Sequence, residues 1–277
     1  MAPIHTVQLL PILDEKLLQL LRSLSPAEWE LPTVAPNWRV RDVALHLLDG
    51  NVRTLSILRD GYFGQAPASG SYTDVVSFLN QLNADWIAAG QRLSPAVISW
   101  LLELTGPEYC RFLASLDLLA PAVLAVAWAG EQESVNWFHV AREYTEKWHH
   151  QQQIRQAVGQ EEDLLTRELY FPFLDTCLRA LPFHYRNTQA DPGTLLQILI
   201  TGEGGGTWQL QRSTDAWQLL ETPAPEQDTA TQVILDGRVA WRLFTKSLPR
   251  PQADAHIQIT GNAQLAEPFF SLITVMA

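Results

Sequence analysis

The chain has 277 residues, 47% of them apolar, and a formal charge of -11 from 19 basic and 30 acidic side chains. That balance argues against the basic face that nucleic-acid binding needs, and no apolar run reaches the roughly 18 residues of a membrane-spanning helix. Cys110 and Cys177 lie far apart without CxxC spacing, so neither a disulfide framework nor a thiolate zinc cluster is indicated.

An acidic soluble protein of a reducing cytoplasm is therefore expected. The opening MAPIHTVQLLPILDEK has no basic stretch before its apolar residues, so no export signal is read there. In chain order, LLPILDEKLLQLLRSL repeats leucine at three- and four-residue steps, which predicts a core-facing helix. Ser25-Pro26-Ala27-Glu28 has the capping-box pattern of a short second element, and Pro32 and Pro36 bend the chain after it. Helical period returns from about Arg39 to Leu58 despite Gly50, and again from Tyr72 to Leu93. Pro95, Gly106-Pro107 and Pro121 predict that Ser94 to Ala129 breaks into shorter helices. The last long helix is predicted from about Asn136 to Val158, with Ser134 or Asn136 as N-cap and Gly159 as its stop.

Beyond the acidic break Gln160-Glu161-Glu162-Asp163 the texture changes to strands: TLLQILITG, GTWQLQRS, DAWQLLE, ATQVILDG and AHIQIT. Two helical pieces are expected among them, Arg238 to Lys246 capped by Asp236, and Ala263 to Val275. The expected organisation is an all-α bundle over residues 1–163 and a smaller α+β domain over 164–277. The glycine run from Gly202 to Gly206 lacks the Lys-Ser/Thr of a phosphate-binding loop and reads as a hairpin turn, and no GxSxG occurs.

One constellation could carry chemistry. Taking His139 as zero at 100° per residue, Glu143 falls at about 40°, Glu146 at about -20° and His150 at about 20°. Four metal-capable side chains thus share a narrow stripe, and the i,i+4 pair Glu146 and His150 converges on one point. His46, four residues after Asp42 in VALHLL, could add a third ligand from a second helix. The competing readings are a solvated Glu/His face and, for His46 alone, a satisfied core histidine. Apolar neighbours including Trp137, Tyr144, Trp148 and Ile154 nearly encircle the helix, which disfavours a wholly exposed stripe. His149 points about 80° away and reads as supporting or surface. One of Gln151, Gln152 and Gln153 could hydrogen-bond a ligand ring nitrogen or the substrate, the alternative being a polar helix end.

Trp38-x-Val40-x-Asp42-x3-His46-Leu47 resembles the W-x-V-x-D-x3-H-L signature of mycothiol-dependent maleylpyruvate isomerases, a branch of the DinB-like metal-binding four-helix bundles. Glu146-x3-His150 resembles the E-x3-H of their last bundle helix, and LDGRVAWRLFTK with IQITGNAQLAEPFFSLITVM resembles the sterol-carrier-like domain that follows. The resemblance implies His46, Glu146 and His150 as ligands of a divalent metal, zinc with nickel as the alternative, and Asp42 and Trp38 as supporting residues. It further implies a low-molecular-weight thiol of mycothiol or bacillithiol type as cofactor, and a small electrophilic substrate taken through S-transfer or cis-trans isomerisation. No nucleic-acid or membrane partner is expected. Where the family carries His-Arg-Trp-Asp after the glutamate, this chain has His150-Gln151-Gln152-Gln153, and the arginine turn of its second domain is replaced by Thr245-Lys246-Ser247. A dianionic substrate would then look to Lys246, Arg242 or Arg250, whose alternative reading is surface bases. Glu143, His139, Gln153 and Lys246 are the candidate catalytic residues. Two other functions stay open: a carrier with an apolar pocket lined by Phe171, Phe173, Trp208 and Trp217, and a metal hydrolase with Glu143 or His139 as base.

Overall fold

The computed structural model describes residues 2–222 and 229–275, the side chain of Tyr72 excepted. Its contacts divide the chain into two units. One comprises residues Thr6–Val123 and Glu146–Glu161; the other comprises residues 2–5, Leu124–Thr145 and Glu162–Val275. They are a helical bundle and an α+β unit of similar size, the class expected from the sequence. No helix among the described residues is long and apolar enough to cross a membrane.

The bundle unit is built from α1 (Leu10–Ser23), α2 (Val40–Thr54), α3 (Tyr72–Gly90), α4 (Pro95–Ala114) and the C-terminal part of α5 (Asn136–Ala157). The leucine repeat of α1 buries Leu10, Leu13, Leu17, Leu20 and Leu21. Leu17, Leu20 and Leu21 join Val43, Ala44, Leu47 and Leu48 of α2, Ile98 and Leu102 of α4, and Ile154 of α5 in one core cluster. After α1 the predicted capping box forms. Ser25 N and Oγ each donate to Glu28 Oε2 at 2.7 Å, ahead of a single 3₁₀ turn at Glu28–Glu30. The α2 run continues into a π turn at Leu55–Arg59, so its predicted reach past Gly50 is observed.

The predicted break at Gly106-Pro107 does not occur, because α4 runs through both residues. Pro95 stands at the helix start, where its missing N–H costs nothing, behind Ser94, whose Oγ accepts from Val97 N at 3.3 Å. Gly106 has a separate reason to be glycine. A Cβ there would lie 1.6 Å from Asp14 Oδ2, so α1 and α4 meet at this point only because the side chain is absent. Gly106→Ala, which in an open helix would stabilise, is instead expected to cost about 1–3 kcal/mol. Urea unfolding of the variant measures this.

Asp14 belongs to a buried polar network that the sequence reading missed. Lys147 of α5 donates to Asp14 Oδ1 at 3.1 Å and to Asn51 Oδ1, and its ammonium sits 4.5 Å from the centre of the Tyr109 ring. Asn51 Nδ2 in turn donates to Thr105 Oγ1 at 3.0 Å, so the network links α1, α2, α4 and α5.

The other unit holds the first turns of α5, then α6 (Arg167–Leu178), α7 (Leu181–His184) and a five-stranded sheet. The strands are β1 (Leu195–Ile200), β2 (Gly206–Arg212), β3 (Trp217–Leu219), β4 (Thr229–Leu235) and β5 (Ile257–Gly261), in the order β3-β2-β1-β4-β5. Only β1 and β4 run parallel, with Ile198 opposite Val233; the other neighbours are antiparallel. The glycine run between β1 and β2 is a turn with Gly202 at a φ of 94°. After β4 comes α8 (Gly237–Phe244), capped by Asp236 Oδ1 accepting from Arg238 N at 3.0 Å. The two short helices α9 (Arg250–Ala253) and α10 (Ala263–Ala266) flank β5.

Two differences from expectation arise here. The helix predicted from Ala263 to Val275 is a single turn followed by 3₁₀ structure at Glu267–Ser271, since Pro268 withholds an N–H from the ladder. Meanwhile α6 was not predicted. It contains Pro172, which reads as a helix breaker, although its buried residues Leu169, Tyr170, Phe173, Leu174 and Cys177 share one arc of about 140° at 100° per residue.

Candidate metal centre

The segment before α2 fixes the first side chain of the site. Thr33 N donates to Trp38 O at 3.0 Å and Trp38 N to Ala35 O at 3.1 Å, closing a tight turn with Asn37 at a φ of 66°. Asp42 then starts the helix, its Oδ2 accepting from Arg39 N at 2.9 Å while its Oδ1 accepts from Gln91 Nε2 at 2.8 Å. Asp42 therefore sets the first turn of α2 and ties it to the residue that follows α3. One turn further along α2 comes His46.

Glu146 and His150 project from α5, and ligand atoms of His46, Glu146 and His150 all lie within 4.8 Å of one another. His150 Nε2 is 3.6 Å from Glu146 Oε2, and the His46 and His150 rings are 4.4 Å apart between centres. Trp38 closes on the same point, its ring centre 4.9 Å from that of His46 and 6.1 Å from that of His150.

The surroundings of the rings suit a cation. Gln153 Oε1 sits 2.9 Å from His150 Nδ1; an amide oxygen can only accept, so Nδ1 donates there and Nε2 is the ring atom turned to Glu146. Burial, then the neighbouring His150 ring, holds the His46 pKa well below the ordinary histidine value, so this ring is a neutral imidazole. Its Nδ1 is buried without a hydrogen-bond partner, which an intact core histidine would avoid. Two imidazoles and one carboxylate fit a zinc-type divalent ion and leave coordination positions for a further ligand.

The remaining candidates fall elsewhere. His139 and Glu143 are not members of the cluster. Arg142 Nη2 lies 2.5 Å from Glu143 Oε1 and donates to His139 Nδ1 at 3.0 Å, and burial pushes the His139 pKa down to about 4. A ring whose lone pair is engaged and whose pKa is so low is a weak base at neutral pH. Lys246 is exposed on left-handed backbone after α8, at a φ of 61°. Arg242 donates to Ser247 O at 2.9 Å, and Arg250 is held by Glu267 and Asp254 at 2.6 and 2.7 Å. Of the three glutamines, Gln153 meets the His150 ring; Gln152 Nε2 donates to Glu161 O at 3.0 Å, and Gln151 faces the α1 backbone at Leu13 and Leu17. His149 is buried, its ring centre 3.9 Å from that of His150. The four aromatics proposed for a carrier pocket pack in separate pairs: Phe171 on Trp208, Phe173 on Tyr170 and Trp217 against Tyr185.

A family model described as the mycothiol maleylpyruvate isomerase N-terminal domain matches residues 10–155. Among solved structures, one of the mycothiol-dependent maleylpyruvate isomerase is 13% identical with a TM-score of 0.55. One of a histidine-to-alanine mutant of that isomerase is 12% identical with a TM-score of 0.54. Each comparison covers 94% of this chain and 96% of the other, and at such identity the likeness is one of fold. No curated protein matches the chain.

Proposed function

The chain belongs to the mycothiol maleylpyruvate isomerase N-terminal domain family, and from that premise we propose that it is a divalent-metal-dependent thiol enzyme. It isomerises, or transfers sulfur to, a small electrophile in the cytoplasm. The observation that carries this reading is the meeting of His46, Glu146 and His150 within 4.8 Å. We assign the metal-binding bundle to residues 1–163 and the following domain to 164–277.

A zinc ion bound there would act as a Lewis acid that lowers the pKa of an incoming thiol toward neutrality. The chain's own residues do the rest of the positioning. His46, Glu146 and His150 supply the ligand atoms, and Gln153 holds His150 in the tautomer that offers Nε2. Trp38 covers the two rings with an apolar surface that limits water at the site.

The nucleophilic sulfur is not the protein's. Cys110 and Cys177 are both buried, and burial beside the Asp14 carboxylate pushes the Cys110 thiol up to about 12. A diffusible thiol is therefore the reactive sulfur. For isomerisation, its thiolate adds to one carbon of a conjugated cis alkene and the π pair moves onto the adjoining carbonyl. Rotation about the resulting single bond and expulsion of the thiolate then restore the alkene as trans. For transfer, the carbon–sulfur bond persists and the adduct takes up a proton.

Turnover of a cis-alkenoic test substrate such as maleylpyruvate should require both added thiol and zinc, be lost on chelation and return with zinc. Turnover that proceeds without thiol would overturn the reading in favour of hydrolysis. Gln153→Ala should weaken zinc affinity by about 10–100-fold while leaving the helical signal intact, because it frees the His150 ring without removing a ligand. Competition with a chromophoric chelator reads this directly.

A further inference from the structure

His46 shares its face of α2 with two other polar residues. At 100° per residue, Asp49 lies about 60° from it and Arg53 about 20°. Side chains on a helix lean toward its N-terminus, so Arg53 reaches back along this stripe toward Asp49 and His46. Arg53 Nη2 is 3.2 Å from Asp49 Oδ2 and 3.5 Å from Asn83 Oδ1, which comes from α3. The charge of Arg53 is among those that act on His46.

The guanidinium is incompletely used. Arg53 Nη1 is buried with no hydrogen-bond partner, and Asp49 Oδ2, also buried, accepts no directed hydrogen bond despite its ion pair. Buried donors are normally satisfied, and a guanidinium has five N–H groups to place. The Arg53 side chain as a whole nonetheless retains 23% exposure, so it borders solvent even though Nη1 itself is buried. With Nη2 engaged by Asp49 and Asn83, Nη1 is the uncommitted donor of a cation along the helix from the proposed metal ligands, and a carboxylate oxygen matches it. A phosphate would bring a second negative charge against Asp49 and Glu146.

We propose that Arg53 is the specificity residue of this site and receives a carboxylate of the electrophilic substrate. The proposal rests on the thiol-and-metal reading above. It also supplies, from α2, the cation for which the sequence offered Lys246, Arg242 or Arg250 of the second domain, with surface bases as their other reading. The seven-residue step from His46 to Arg53 spans about 10 Å of helix, and the backward lean of the arginine shortens that gap, so the electrophilic carbon and the carboxylate belong to one short molecule.

The test uses the full zinc-loaded chain and calorimetric binding of maleate, its uncharged dimethyl ester, and mycothiol, in wild type, Arg53→Gln and Arg53→Lys. Maleate affinity should fall at least about tenfold in Arg53→Gln and less in Arg53→Lys, a loss in the range of one charge-assisted hydrogen-bond pair. The ester, mycothiol, the zinc content and the unfolding midpoint should stay unchanged. A structural role would instead move the midpoint and all three ligands together, and that result overturns the proposal. Maleate affinity unchanged in Arg53→Gln, or loss of mycothiol binding alone, also overturns it while leaving the metal reading intact. Absence of zinc from the wild type strikes the metal reading itself.

Discussion

Alanine at both His46 and His150 should abolish thiol-dependent turnover in a protein that still folds. The two rings supply two of the three ligand atoms that lie within 4.8 Å of each other. Glu146, with 30% side-chain exposure, would remain as a lone half-exposed carboxylate, too weak to hold a zinc ion. The loss in kcat/KM should exceed the ~10–100-fold expected for removing a supporting residue such as Gln153. The fold should survive because the core cluster of α1, α2, α4 and α5 is made by other residues, from Leu17 to Ile154. Parallel measurement of turnover and circular dichroism separates the two effects. Full turnover in the double variant would mean that the three residues are not the working site.

The largest stability effect is expected at Lys147→Met. The ammonium and the Asp14 carboxylate keep only 7% and 11% of their exposure, and the ammonium also donates to Asn51. Taking both charges out of water is costly, so the pair itself adds little net stability. Removing only the cation leaves a buried carboxylate without a partner, which costs about 3–5 kcal/mol. Adding Asp14→Asn to Lys147→Met removes that uncompensated charge and should recover part of the loss. A shift in the urea midpoint of the single variant that the second substitution fails to reduce would show that packing, not charge, dominates at this point.

How much of this was legible depends on whether the determining contact is local. The stripe of α5 could be read because helix geometry alone brings Glu146 and His150 to one side, and the capping roles of Glu28 and Asp236 could be read from spacings of two or three residues. His46 was legible through its resemblance to a known motif, since nothing in VALHLL tells a ligand from a core histidine. The Lys147 network was not, because its partners lie 133 and 96 residues away in sequence. The same holds for Gly106, whose reason is the approach of Asp14 from another helix. His139 and Glu143 show the limit of the stripe argument: angular agreement on a helix says nothing of axial position, and Arg142 engages both. Arg53 was not legible, because its seven-residue spacing from His46 shows neither the unpartnered Nη1 nor the approach of Asn83 from α3.

Elemental analysis of the purified full-length chain tests the central claim most directly. The account predicts about one divalent ion per chain, chiefly zinc, removable by chelation, restored by added zinc and absent from the His46→Ala, His150→Ala double variant. Wild-type protein that holds no stoichiometric metal after exposure to zinc, or a double variant that retains it in full, would contradict the account.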